Sequence, residues 1–251
     1  MVLKIGRFLM NYIDESTGLP LASYDLWEEQ HGIFSYTAAT TYAGLKAAEN
    51  LSRVTGHHQD EATFRRAARK MKASIKKHLY SQEAQRFVKK LYWENEEWHM
   101  DTTVDASLAF LWDLGVFAAD DPLIVSTMKA IESELTVQTD VGGIARYSGD
   151  FYHRDWNEQY SQDVPGNPWI ITTLWLANWK MATAKTTKEL HPVRETFDWV
   201  IKQASQSGIL PEQMHPYTGE PLSVAPLTWS HSTFVDSVLR YQARYNELKT
   251  K

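Results

Sequence analysis

The chain has 251 residues, 43% hydrophobic and 23% charged, with a formal net charge of -5. This is the balance of a globular chain with ample core, and its charge excludes a global field that would draw nucleic acid or an anionic membrane surface. The absence of cysteine excludes disulfides, thiolate nucleophiles and cysteine-ligated zinc or iron–sulfur sites.

Helical periodicity dominates. Residues 3–13 read as a helix ended by the Asp-Glu-Ser-Thr-Gly turn at 14–18. A long helix is expected over 36–54, with Ala38, Tyr42, Leu45 and Ala48 on its apolar stripe and Gly56 closing it. The next covers 60–79, with Phe64, Ala68, Met71 and Ile75 inward and a basic run from Arg65 to Lys77 that reads as a solvated face. Residues 85–92 alternate enough for a short strand, with 93–98 its return. A short helix over 105–114 precedes Gly115, and another over 122–135 has Asp121 as N-cap and Pro122 in its first turn. The stretch 136–167 is irregular and rich in Gly, Asp, Tyr and Arg, and long ordered loops are often functional. Helices are then expected over 168–184, 192–205 and 230–248, with a proline-rich loop at 206–230. No run of about 18 apolar residues suggests a membrane span. The opening residues lack a signal peptide's apolar stretch, which favours the cytoplasm. About eight helices, joined by long loops on alternate connections and without a linker, read as one domain of helical hairpins.

Two acidic motifs carry the chemistry. Glu28 and Glu29 follow Trp27, and adjacent carboxylates beside an indole disfavour a second charge, which suits a proton donor. The plainer alternative is that Asp25, Glu28 and Glu29 cap and complement the start of the helix at 36. Glu212 follows Leu210-Pro211 in a segment expected as loop, where a carboxylate can meet water as a general base must, or be merely an exposed glutamate. One donor and one water activator are what an inverting glycosidase needs. Arg146, near Asp150, can bind sugar hydroxyls or form a structural ion pair. In Gly166-Asn167-Pro168-Trp169 the glycine either admits a ligand or shapes the turn. Trp27, Trp169 and Trp229 lie beside polar residues and can stack on sugar faces, or fill core. The histidines form no metal pattern: His153 and Asp155 lack a third ligand.

Four motifs in order resemble glycoside hydrolase family 15, the glucoamylase and glucodextranase family. They are Tyr24-Asp25-Leu26-Trp27-Glu28-Glu29-Gln30-His31-Gly32, Gly142-Gly143-Ile144-Ala145-Arg146-Tyr147 with Gly166-Asn167-Pro168-Trp169-Ile170, Leu210-Pro211-Glu212-Gln213, and Pro226-Leu227-Thr228-Trp229-Ser230-His231. The resemblance implies an all-α (α/α)6 toroid and inverting, exo-acting hydrolysis of α-glucosidic bonds without a cofactor. It makes Glu28 the general acid and Glu212 the general base, with Trp27, Glu29, Arg146, Trp169 and Trp229 around the sugar. The substrate class is an oligosaccharide or α-glucan, and the family spans α-1,4 and α-1,6 glucans and trehalose. The chain offers about eight of the toroid's twelve helices, with a small β-hairpin insertion. It therefore reads as a single partial catalytic domain over residues 1–251, lacking the N-terminal helices and their Arg-Asp grip on the terminal glucose. Exposed helix faces would then favour either that N-terminal portion or self-association, and the chain alone would be weakly active or inactive. A catalytically silent carbohydrate-binding remnant and a helical scaffold are the alternatives.

Overall fold

The computed structural model describes residues 1–154 and 164–250. Its elements in chain order are α1 (Val2–Asn11), β1 (Ser23–Tyr24), β2 (His31–Phe34), α2 (Ser35–Val54), α3 (His58–His78), β3 (Tyr80–Ser81), β4 (Arg86–Phe87), β5 (Lys90–Glu94) and β6 (Glu97–Asp101). A 3-10 turn (Ala106–Ala109) leads into α4 (Phe110–Asp113), followed by α5 (Pro122–Leu135) and α6 (Ile170–Thr183). After a second 3-10 turn (Thr187–Leu190) come α7 (His191–Gln203), β7 (Gln213–Met214), β8 (Pro221–Leu222) and α8 (Thr228–Lys249). The described residues thus give the expected all-α class with small sheets. None of their helices is long and apolar enough to cross a membrane. The chain forms two compact units, residues 1–103 with 110–127 and residues 104–109 with 128–251.

In the first unit α2 lies against α3, and Leu45, Ala48, Phe64, Ala68, Met71 and Ile75 are buried. These residues recur at helical spacing, as the sequence requires of an inward stripe. Burying a side chain the size of Phe64 contributes about 2–3 kcal/mol. The basic run of α3 is indeed a solvated face, with Arg66, Arg69, Lys70, Lys72, Lys76 and Lys77 exposed. Arg65 departs from it, pairing with Glu49 of α2 at 2.9 Å and with Glu61 of its own helix.

A four-stranded antiparallel sheet runs in the order β1-β2-β5-β6. The strand expected over 85–92 is two strands: Arg86–Phe87 pairs with β3, and Lys90–Glu94 turns back on β6. The break falls at Val88 and Lys89, whose carbonyls accept from the Oγ and backbone N of Ser35 instead.

In the second unit α6 packs against α7 and α8. Every residue of α6 from Ile170 to Trp179 is buried, so its hydroxyls bond to backbone: Thr172 to the Ile144 carbonyl at 2.6 Å and Thr173 to that of Trp169 at 2.7 Å. The helix expected from Pro168 begins at Ile170, because Trp169 is taken into β-bridges with Ile144 and Gln213. Asp121 caps α5 as expected, accepting from Leu123 N at 2.9 Å. On α8, Val235 and Leu239 are 58% and 59% exposed, and α1 leaves Phe8 59% exposed.

Candidate active site

In the first unit, Glu28 sits in the loop joining β1 to β2. Asp25 builds this loop. Its carboxylate accepts from Glu29 N at 2.8 Å and Gln30 N at 3.1 Å. Its backbone carbonyl accepts from Glu28 N, and its own N donates to the Gln30 carbonyl at 2.9 Å. With four such bonds across six residues, the loop's conformation is over-determined. Glu28 is thereby held in the left-handed region at φ 60, which costs a residue with a Cβ about 1–2 kcal/mol. The outcome is an alternation: Asp25 and Trp27 turn inward and are buried, while Glu28 and Glu29 are exposed.

The helix-capping alternative for these carboxylates does not survive. Helix α2 starts at Ser35, its N-cap is Phe34, and its first turn holds no acidic residue. Near the loop, Lys90 has its Nζ over the rings of Phe34 and Tyr92. Burial holds its amine below the usual lysine range, opposed by the nearby Asp101 and Asp25 carboxylates.

The second unit collects the other motifs through a ladder of single bridges. Thr136 pairs with Ile144, Ile144 with Trp169, and Trp169 with Gln213, which in turn pairs with Leu222 of β8. The backbone bonds Trp169 N to Ile144 O at 3.0 Å, Met214 N to Pro168 O at 3.0 Å and Glu212 N to Val224 O at 3.0 Å fix its register. Residues far apart in sequence are thus brought side by side. Gly143 permits one step of this, with φ +89 and a position where a Cβ would lie 2.7 Å from Pro168 Cβ. Gly166 shapes the loop: a Cβ there would meet Asp150 Cβ at 2.9 Å and Ala145 Cβ at 3.2 Å.

Arg146 forms the ion pair with Asp150. Its Nε and Nη2 donate to the two carboxylate oxygens at 2.7 and 2.8 Å, and the side chains are 3% and 0% exposed. The guanidinium carbon lies 4.8 Å from the ring centroids of Tyr152 and Trp169 and 5.2 Å from that of Tyr147. An Arg fork fixed by a carboxylate and enclosed by aromatic rings is a rigid, oriented cation.

Glu212 is partly buried beside this group. Gln213, fully buried, donates from Nε2 to Glu212 Oε2 at 3.0 Å. Its Oε1 accepts from Asn167 Nδ2 at 2.8 Å, and that same nitrogen donates to the carbonyls of Tyr152 and His153. Asn167 therefore fixes which way the Gln213 amide faces, and Gln213 fixes an oxygen of Glu212.

The first turn of α8 supports the same segment from behind. Ser230 Oγ donates to the Pro211 carbonyl at 2.8 Å, and His231 Nε2 accepts from Leu210 N at 3.1 Å. The ring of Trp229 lies 5.7 Å from that of Trp175.

Of the residues singled out in the sequence, Trp27, Glu28 and Glu29 belong to the first unit and Arg146, Trp169, Glu212 and Trp229 to the second. Asp155 and Trp156 lie outside the described residues. Sequence reasoning missed Asp25 as the builder of the acidic loop, although an Asp ahead of two backbone donors is a recognisable turn signal. It also missed the Asn167–Gln213 relay, which no local signal announces.

A family model for glycosyl hydrolases family 15 matches residues 3–190 and 178–239. A Methanocaldococcus jannaschii protein described as an uncharacterized glycosyl hydrolase is 34% identical over 222 residues, 84% of this chain and 33% of its own length. Trehalase 2 of Sulfolobus acidocaldarius is 26% identical over 222 residues, 87% of this chain and 34% of its own. The chain spans about a third of these relatives. A bacterial glucoamylase solved in complex with acarbose superposes with a TM-score of 0.78 at 22% identity, covering 98% of this chain and 39% of that one. The described fold is thus the helical-hairpin fold of that glucoamylase.

Proposed function

This chain belongs to glycosyl hydrolases family 15, and on that premise we propose that it is catalytic-domain sequence of an inverting, exo-acting α-glucoside hydrolase of the glucoamylase type. Glu28 is the general acid and Glu212 the general base in this reading. The observation that carries it is the Asn167–Gln213–Glu212 relay beside the enclosed Arg146. It gives one carboxylate a fixed orientation, in a segment also holding an aromatic wall and a cation.

Mechanistically, Glu28 donates a proton to the glycosidic oxygen while Glu212 takes one from the attacking water. That water enters from the opposite face of the sugar, so an α-glucoside yields β-glucose. The geometry requires the two carboxyl groups roughly 6.5–9.5 Å apart, room for one water. Arg146, held by Asp150, and Trp169, Trp27 and Glu29 contribute sugar contacts. Trp27 and Trp169 are 9% and 3% exposed, so most of each ring is packed. Trp229 shares the helix turn whose Ser230 and His231 hold the backbone of Pro211 and Leu210 ahead of Glu212. Residues 1–251 form one partial catalytic domain in this proposal. The exposed stripe of Val235 and Leu239 on α8 serves association with further helices or a second copy.

The test is proton NMR of the first anomer released from maltose, isomaltose and trehalose, with Glu28→Gln and Glu212→Gln as controls. Initial β-glucose that vanishes in both variants supports the proposal. Initial α-glucose, or turnover unchanged in either variant, refutes it. Glucan or acarbose binding by the wild-type chain without any turnover would favour the silent carbohydrate-binding reading instead.

A further inference from the structure

The sheet that presents the Glu28 loop has an aromatic face outside the groups just described. Tyr24 pairs with His31, Ile33 with Leu91, Leu91 with Met100, and Trp93 with Trp98. Alternate residues of a strand share a face, so all seven side chains lie on one side of the sheet. Ile33 and Leu91 are buried at its middle, at 1% and 3% exposure. Around them Tyr24 is 66% exposed, Trp93 58% and Met100 40%. The rings form two edge-to-face pairs, Tyr24–His31 at 5.7 Å and Trp93–Trp98 at 5.1 Å between centroids.

This face is stiff. Trp98 Nε1 donates to Ser16 Oγ at 3.2 Å, which pins one indole against the segment before β1. The β5–β6 turn places Asn95 and Glu96 both at positive φ, 51 and 64, the two-residue turn whose twist matches its strands. Cross-strand aromatic pairs do stabilise hairpins. That role is fulfilled by rings packed on each other, and it leaves unexplained an indole more than half in water at the tip of an arm. Rigid aromatic surface is what a binding face offers at low entropic cost.

The chemistry of the rim narrows the ligand. Glu96, in the turn between the two indoles, is exposed, while Glu94 and Glu97 pair with each other on the opposite face. Lys90, the nearest cation along these strands, points to the opposite face, over Phe34 and Tyr92. The strand residues of the aromatic face thus carry no lysine or arginine to attract nucleic acid or anionic lipid, while the Glu96 carboxylate can accept hydrogen bonds from a neutral polyhydroxyl ligand whose flat apolar side lies on the indole.

We propose that this face is an auxiliary binding surface for a glucan chain, with Trp93 as its platform. Its position in the same sheet as the Glu28 loop suits it to hold polymer next to the acid. The identity of the sugar rests on the hydrolase reading above; the presence of a neutral polyhydroxyl ligand rests on the face itself.

Native electrophoresis through gels containing glycogen or dextran, against a non-binding reference protein, tests it. The wild-type chain should be retarded. Trp93→Ala should weaken retardation at least about fivefold, Trp93→Phe should keep part of it, and thermal melting should confirm that both fold. Glu212→Gln should be retarded like the wild type, so a failure of the hydrolase assignment leaves this readout standing. Unretarded wild-type protein, or Trp93→Ala retarded as strongly as wild type, would overturn the proposal. So would a Trp93→Ala variant whose only change is its oligomeric state by size exclusion, which would assign the face to a second copy of the chain.

Discussion

The side-chain amide of Gln213 donates to the carboxylate of its own neighbour, Glu212, at 3.0 Å. Adjacent residues rarely need help to meet. Here the bond exists because Asn167, 46 positions away, occupies the other end of the same amide. The proposed base is thus oriented by a residue on a different loop.

Replacing Gln213 by Ala should lower kcat by about 10- to 100-fold, the loss of one hydrogen bond to a charged group. Asn167→Ala should do the same in part, by freeing the amide to rotate. Steady-state kinetics on a short α-glucoside measures both. An unchanged kcat with a raised KM would mean that the relay serves binding alone.

Glu28→Gln and Glu212→Gln should each reduce turnover by about 100- to 10,000-fold, the usual range for a lost acid or base. Neither side chain is buried, so melting temperatures should stay within about 2 °C of wild type. A large fall in stability would reassign the residue to a structural role.

Asp25→Ala should unfasten the acidic loop without touching a reacting atom. Two backbone donors, Glu29 N and Gln30 N, lose their acceptor, a loss of about 1–2 kcal/mol. Asp25→Asn keeps an acceptor and should retain more stability and activity. Equal behaviour of the two variants in thermal melts would show that the turn does not depend on this side chain.

The Arg146–Asp150 pair is buried on both sides, so removing one partner strands a charge. Asp150→Ala should cost about 3–5 kcal/mol. The double variant Arg146→Met with Asp150→Ala should be less destabilised than the single, because no uncompensated charge remains. Denaturant unfolding of the set gives the coupling, and additive losses would contradict it.

Glu49 links stability to pH. Burial opposes its ionisation, but hydrogen bonds from Lys46 and Arg65 prevail and hold its carboxyl below the ordinary value of 4.5. The unfolded chain therefore takes up this proton first as pH falls. The contribution is complete above the unfolded value and disappears as pH drops through the folded one. Glu49→Gln should melt below wild type at pH 7, and the gap should narrow as the medium is acidified under 4.5. A gap independent of pH would remove the charge from the explanation.

The helices were legible because their cause is local. The stripe of Leu45, Ala48, Phe64, Ala68 and Ile75 is written at helical spacing, and α2, α3 and α5 begin and end within about two residues of the expected positions. The position of Glu28 was not. A carboxylate pair after a tryptophan fits either a helix start or a loop, and the choice depends on β1 and β2 pairing through only two residues each. The ladder from Thr136 to Gln213 was equally out of reach, since each rung is a single bridge between distant segments. Periodicity needs several residues to show itself, and these contacts offer one apiece. The side chains of the proposed site were readable as motifs; their supports, Asp25, Asn167 and Gln213, emerged only with the fold.

The left-handed backbone of Glu28 makes position 28 a point where two selections pull apart. A library screened only for thermal resistance should enrich glycine there, since glycine adopts φ 60 without the strain a Cβ brings. The same library screened for sugar release should return glutamate. Consensus or stability-guided redesign of this chain would therefore erase its proposed acid while reporting an improved protein.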